Sequence, residues 1–225
     1  MKYHVELDID LKRNPYKGLY IVLEGIDGSG KTTQAEKLAK YFEKKGRLVV
    51  RTREPRRDGL VGDIIQRVLT GKIKMSSVAL QYLFSTDRVL HQEEVIIPAL
   101  QAGSVVISDR CFWSAVVYGI LDRMKNDYDY RMADALLISQ SILSMYHQFI
   151  VPDYTFLLKV SLQTAIFRIS GKDDVKEIYE DSEKLRKVIE GYDWLAGKFG
   201  KEITVVDGEG EVGEVTTEII SVINK

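Results

Sequence analysis

The chain has a single cysteine, Cys111, in 225 residues. This excludes an intrachain disulfide and any zinc site built on several thiolates. Proline (4) and glycine (17) are too sparse for a fibrous or low-complexity chain. Every uninterrupted apolar run falls well short of the roughly 18 residues a transmembrane helix needs, so no membrane partner is expected. Neither sign of charge dominates: 32 Lys and Arg stand against 33 Asp and Glu, a formal net charge of -1. Without a basic surplus, nucleic acid is disfavoured as the main partner, and any anion site must be local. The opening residues, MKYHVELDID, place acids where a signal peptide needs an apolar core, so a reducing cytoplasm is the expected compartment.

What is present is ordinary globular material, 45% hydrophobic and 29% charged, enough for one compact domain with a sizeable core. Residues 1–18 stand apart as an N-terminal extension. Val5, Leu7, Ile9 and Leu11 alternate with polar residues as in an edge strand, and KRNPYKG supplies a turn; a structureless tail fits equally. From residue 19 a βα rhythm begins. LYIVLE (19–24) is a continuous apolar run closed by glycine, as suits a strand buried on both faces. Further strands are predicted at 47–55 (strand then loop), 104–108, 154–160 and 202–207. A helix carrying Ala35, Leu38, Ala39 and Phe42 closes at Gly46, and others are predicted over 59–70, 77–102, 112–123, 130–148, 161–169, 182–198 and 211–223. Pro98 should kink or shorten the helix that contains it. Five strands alternating with helices predict a three-layer α/β/α fold around a five-stranded parallel sheet, one domain over 19–225.

The sharpest motif is Gly25-Ile26-Asp27-Gly28-Ser29-Gly30-Lys31-Thr32, a G-x-x-x-x-G-K-T loop between a strand and a helix. Gly25, Gly28, Ser29 and Gly30 let backbone N–H groups converge on phosphate oxygens, and the helix N-terminus that follows, with Lys31, Thr32 and Thr33, favours anions. This predicts ATP as ligand, Lys31 on its outer phosphates and the Thr32 hydroxyl on Mg²⁺. Asp109, after SVVIS, is the expected carboxylate on the metal side. Arg110 is the candidate clamp for a phosphoryl group in transfer. Asp27 is out of place in a loop built for anions; it should face a hydroxyl or ammonium donor, which suggests a second, sugar-bearing substrate.

Arg53 lies in Thr52-Arg53-Glu54-Pro55, after the second strand. Phe84 and Arg88, at i and i+4 on the long helix, share a face that suits a nucleobase, although a core Phe84 beside a solvated Arg88 has the same spacing. His4, His91 and His147 have no ligand spacing and are expected to be solvated or satisfied.

The ordered set EGIDGSGKTTQ, TREP, LFSTDR, SDR with Ser114-x-x-x-Tyr118, and VPDYTFLLKV resembles the thymidylate kinases, a family of P-loop nucleoside monophosphate kinases, over about residues 19–221. The resemblance implies a P-loop NTPase fold with a short lid, here near 168–181, and transfer of the γ-phosphoryl group of ATP to dTMP. Carried over residue by residue, Lys31 and Thr32 hold ATP phosphates and metal, Arg53 and Arg110 hold the acceptor phosphate, and Asp27 faces the acceptor near its sugar. Phe84 stacks on thymine, Arg88 bonds a base carbonyl, Ser114 neighbours the acceptor, and Tyr118 crowds the sugar 2′ position. Arg168 and Lys172 of the lid are the implied transition-state cations, with Lys176 near them and Arg186 as a possible substitute. A homodimer is implied, for which part of the apolar surface at Leu136, Leu137, Ile138, Ile142 and Leu143 is available. Departures from the family pattern stand at Cys111, Ala115 and Gly119, and Ser29 replaces the arginine some members carry in the loop. The alternatives are a kinase for another pyrimidine nucleotide or a nucleoside, a nucleotide-driven switch, and a nucleotide-binding relative without turnover.

Overall fold

The computed structural model describes residues 10–123, 148–171 and 182–225. Five strands form one parallel sheet: β1 Leu19–Glu24, β2 Val49–Arg53, β3 Val105–Asp109, β4 Tyr154–Lys159 and β5 Ile203–Asp207. The helices are α1 Lys31–Lys44, α2 Gly59–Leu69, α3 Ser77–His91, α4 Ile97–Gln101, α5 Phe112–Arg123, α6 Leu162–Ser170, α7 Ser182–Lys198 and α8 Val212–Ile223. The helix expected over 130–148 lies almost entirely outside the described residues, as do Val5, Leu7, Ile9, His4, His147, the apolar residues 136–143 and the lid from 172 to 181. Before the sheet, Lys12 bridges Ile150, and Val151 donates its N–H to the Lys12 carbonyl at 2.8 Å.

The strand order is β2-β3-β1-β4-β5, which makes β1 the centre and the point where the winding reverses. Burial on both faces follows from the period of two. Tyr20 and Val22 of β1, Val106 of β3, Leu157 of β4 and Ile203 of β5 point into a core closed by α2 to α7. Ile21, Leu23, Val105, Ile107, Phe156, Leu158 and Val206 point the other way, onto Ala35, Leu38, Ala39 and Phe42 of α1 and Val215 and Ile219 of α8. These are three layers, and the inner strands β1, β3 and β4 are mostly apolar on both faces because each face has a helix over it.

The helix expected over 77–102 is interrupted. α3 starts on Ser76, whose hydroxyl accepts the Ala79 N–H at 3.3 Å. A single π turn, Gln92–Ile96, then precedes α4, where Pro98 sits in the first turn. Proline lacks the N–H a continuing helix would use, and its ring crowds the carbonyl four residues back; a widened turn relieves both. α3 thereby keeps Leu80, Phe84, Asp87, Arg88 and His91 on one buried face beneath the ends of β2 and β3.

Candidate active site

The loop after β1 is shaped by glycine where nothing else fits. Gly28 has φ +81°, and a Cβ there would lie 2.6 Å from the Ala165 carbonyl oxygen. Gly30, at φ +97°, turns the chain into α1. The buried Lys31 ammonium donates to the carbonyls of Gly25 (3.1 Å) and Ile26 (2.9 Å) and lies 3.8 Å from Asp27. Burial, then the neighbouring Arg110 charge, pulls its pKa down to about 8. Beside it the Thr32 hydroxyl donates to Asp109 Oδ2 at 2.9 Å, joining the first turn of α1 to the end of β3.

Arg110 has φ +76°, a backbone region costly for a residue with a Cβ. The turn is held by Arg110 N–H on the Leu23 carbonyl (2.9 Å) and by the Ser108 hydroxyl on the Arg110 carbonyl (2.7 Å). It throws the guanidinium back over the loop, where Nη2 donates to Asp27 Oδ1 at 2.8 Å and the Tyr118 ring lies 5.3 Å away. Nη1 donates to the hydroxyls of Tyr192 (2.9 Å) and Ser114 (3.3 Å). Both hydroxyls also reach Glu24 Oε2, while Glu24 Oε1 accepts the N–H groups of Cys111 (2.9 Å) and Ser114 (3.2 Å). Glu24 therefore caps α5 from a neighbouring strand and is fully hydrogen-bonded although buried. Burial works against the Arg110 charge, but Tyr118, Tyr192, Asp27 and Glu24 outweigh it and raise the pKa well above the ordinary value.

A second constellation lies at the end of β2. The buried Glu54 carboxylate accepts Arg88 Nε at 2.7 Å and meets His91 Nδ1 at 3.1 Å; His91 Nε2 lies 2.5 Å from the Thr52 hydroxyl. The Arg88 guanidinium also lies 5.6 Å from the Phe84 ring centre, so the i, i+4 pair does meet on one face, with Arg88 buried rather than solvated. Asp87 accepts the Arg56 N–H (2.9 Å) and Nε (3.2 Å), tying the β2–α2 connection to α3. His91, expected to be solvated or satisfied, is a satisfied buried histidine.

One cleft of about 930 Å³ joins these parts. Asp27, Gly28, Gly30, Lys31, Thr32, Thr33 and Asp109 line it from the phosphate loop, the start of α1 and the end of β3; Arg53, Phe84, Arg88, Arg110, Ser114, Ala115 and Tyr118 line it as well, and Arg110 meets Asp27 where the two sets join. Gly25 and Ser29 are not in its wall: Ser29 is buried and its N–H returns to the Ile26 carbonyl at 3.2 Å. Arg168 reaches the cleft, but its guanidinium donates to the carbonyls of Gly208 (3.1 Å) and Gly28 (3.4 Å), on the loop side. Arg186 is exposed and paired with Glu190 at 3.1 Å. Lys172 and Lys176 lie outside the described residues.

Sequence reading missed Glu24, Glu54 and Tyr192, and gave His91 no part in the site. Glu24 and Glu54 left a signal, a carboxylate closing an apolar run and one between Arg53 and Pro55. His91 shares a helix face with Arg88 at i+3. Tyr192 leaves none, because only packing brings it to Arg110.

Thr32 and Asp109 offer an all-oxygen pair, the donor type a hard divalent cation takes. No group of three or more His, Cys, Asp or Glu side chains gathers as a metal cage among the described residues. One carboxylate beside one hydroxyl is a donor set that suits Mg²⁺, which keeps several waters and leans on one or two carboxylates plus substrate phosphates.

A family model described as Thymidylate kinase matches residues 23–219. A chain named probable thymidylate kinase from Thermococcus gammatolerans is 34% identical over 216 residues, which are 92% of this chain and 97% of the relative. The thymidylate kinase of Caldicellulosiruptor saccharolyticus is 34% identical over 211 residues, 92% and 97% of the two chains. The solved structure of thymidylate kinase from Candida albicans superposes with a TM-score of 0.73 at 26% identity, covering 92% of this chain and 91% of that one. With a family model over residues 23–219 and a relative 34% identical across 92% of its length, this chain belongs to the thymidylate kinase family.

Proposed function

We infer that the cleft runs the family's reaction, transfer of the γ-phosphoryl group of ATP to dTMP with release of ADP and dTDP. The observation that carries the division of labour is the single cleft, lined both by the phosphate loop and by an arginine-rich, aromatic wall. Its volume, about 930 Å³, suits two ligands meeting phosphate to phosphate.

At the loop end, the N–H groups at the start of α1, with Lys31, Thr32 and Thr33, take the ATP phosphates. Gly25, Gly28, Ser29 and Gly30 keep the backbone in the shape that allows this. Thr32 and Asp109 would hold Mg²⁺, which when bound spreads the charge of the transferring phosphoryl group. At the other end Phe84 stacks on the pyrimidine, Arg88 bonds its edge, and Tyr118 borders the sugar. Arg53 and Arg110 hold the acceptor phosphate. Arg110 contacts Asp27 at 2.8 Å, so the acceptor's phosphate and sugar arrive at two groups that are already neighbours. The attacking phosphate oxygen is anionic, and no general base is required; the residues position the reactants and neutralise charge. Arg168, set on the Gly28 and Gly208 carbonyls, serves the donor side, and Lys172 is the proposed lid cation.

The proposed assembly is a homodimer and the proposed compartment the cytoplasm; the lone cysteine supports a reducing compartment. No helix among the described residues is long and apolar enough to cross a membrane. The test is ADP release coupled to a panel of acceptors. dTMP should be preferred over UMP and dCMP; equal rates with all three would refute the acceptor assignment. Ala115 itself gives the cleft wall no polar group, so the polar contacts available to a base come from residues such as Arg88 and Gln81.

A further inference from the structure

Tyr192 stands in α7, far along the chain from the loop and from every residue placed in the reaction above. Its ring is buried, and its hydroxyl sits between two groups of opposite charge: it donates to Glu24 Oε2 at 2.8 Å and accepts from Arg110 Nη1 at 2.9 Å. A hydroxyl has one hydrogen, and Glu24, lacking any of its own, can only accept; donation to Glu24 leaves the Tyr192 oxygen lone pairs facing the guanidinium. Burial above all drives the Tyr192 pKa well up, so the phenol keeps that hydrogen. Ser114 is the parallel bridge, but its contact to Nη1 is the longer, at 3.3 Å.

The helix reaches this point because of the preceding residue. α7 crosses α5 at Gly191, where a Cβ would lie 2.9 Å from Val117 Cγ1. A larger side chain would lift the helix and withdraw Tyr192 from Arg110. Arg110 needs such support, since its backbone is held at φ +76° and its side chain is long.

We propose that Tyr192 is a positioning residue for the acceptor phosphate: it fixes the Arg110 guanidinium, through a hydroxyl shared with Glu24, in the plane from which Nη2 meets the incoming phosphate. The proposal rests on Arg110 holding that phosphate. Tyr192 itself does not line the cleft.

The experiment is steady-state kinetics of Tyr192→Phe, Arg110→Ala and the double variant in the full-length chain, varying ATP and dTMP separately. Tyr192→Phe keeps the ring and loses only the hydroxyl; the acceptor KM should rise on the order of tenfold, as for a lost hydrogen bond to a charged group, with the ATP KM within about twofold. In the Arg110→Ala background the same change should add nothing further. Gly191→Ala, which moves the helix and spares the hydroxyl, should give the same split and serves if Tyr192→Phe does not fold. An unchanged acceptor KM in Tyr192→Phe, equal rises for both substrates, or effects that multiply with Arg110→Ala would overturn the role of Tyr192 alone. Normal acceptor kinetics in Arg110→Ala would overturn the placement of Arg110, and this proposal with it.

Discussion

Arg88 donates from Nε to Glu54 at 2.7 Å, and both side chains are almost wholly buried. The arginine proposed to read the base is thus aimed by a carboxylate from the end of β2, which His91 holds from the other side at 3.1 Å. Burial would raise the Glu54 pKa; the His91 hydrogen bond, then the Arg88 charge, outweigh it and hold the carboxyl below its usual range. Glu54→Gln should cost about 3–5 kcal/mol, because it leaves a buried cation without its anion. Melting should shift by on the order of 10 °C. The acceptor KM should rise while the ATP KM holds. The sign of the pH effect follows from the depressed folded-state pKa. The carboxylate stabilises the wild type above the ordinary glutamate range, about pH 4, and that stability is lost as pH falls through the lower folded value. The variant's stability should therefore fall less steeply in acid, which melting curves across that range would show.

Lys31, with its pKa near 8, predicts an alkaline limb. The free enzyme loses the ammonium as pH rises through that value, and kcat/KM for ATP should fall with it. Triphosphate beside the lysine restores its pKa, so the limb in kcat at saturating ATP should lie at higher pH. A kcat/KM profile that stays flat well beyond pH 8 contradicts this. Lys31→Met should lower kcat by about 10²–10³-fold with the melting temperature little changed.

Gly28 and Gly30 both have positive φ, yet their substitution should differ. An alanine at Gly28 meets the Ala165 carbonyl oxygen at 2.6 Å, so the loop itself must move and ATP binding should be lost. At Gly30 no atom lies within 4 Å, and the cost is the left-handed backbone alone, about 1–2 kcal/mol. Isothermal titration with a non-hydrolysable ATP analogue separates the two; equal losses would show that the Ala165 contact is unimportant.

Tyr118 lies over the Arg110 guanidinium at 5.3 Å and borders the cleft. Tyr118→Ala should relax discrimination against ribose by about tenfold, measured as the kcat/KM ratio of dTMP to 5-methyl-UMP. Tyr118→Phe should preserve the ratio. Ratios unchanged in both variants would remove Tyr118 from sugar selection.

Much of this molecule is local and was legible. The glycine loop, Lys31 and Thr32 are adjacent in the chain, and Phe84 and Arg88 are one helical turn apart, so a period or a spacing finds them. The break before Pro98 was readable for the same reason, although its form, a π turn, was not. The partners that hold these groups are a different matter. Glu24, Cys111 and Tyr192 come from β1, the turn after β3 and α7; Thr52 and Glu54 come from the end of β2, and His91 from α3. Periodicity predicts that such a residue is buried but not what it meets.

The sequence alone determined the five strands, the helices between them and the anion-seeking loop, because each depends on residues only a few positions apart. Tertiary structure decided that Arg110 turns back onto Asp27, that Glu54 stands between Arg88 and His91, and that Tyr192 meets Arg110 and Glu24. Those contacts exist only once parallel strands are in register and helices have packed, and no short-range pattern encodes the meeting of side chains so widely separated along the chain.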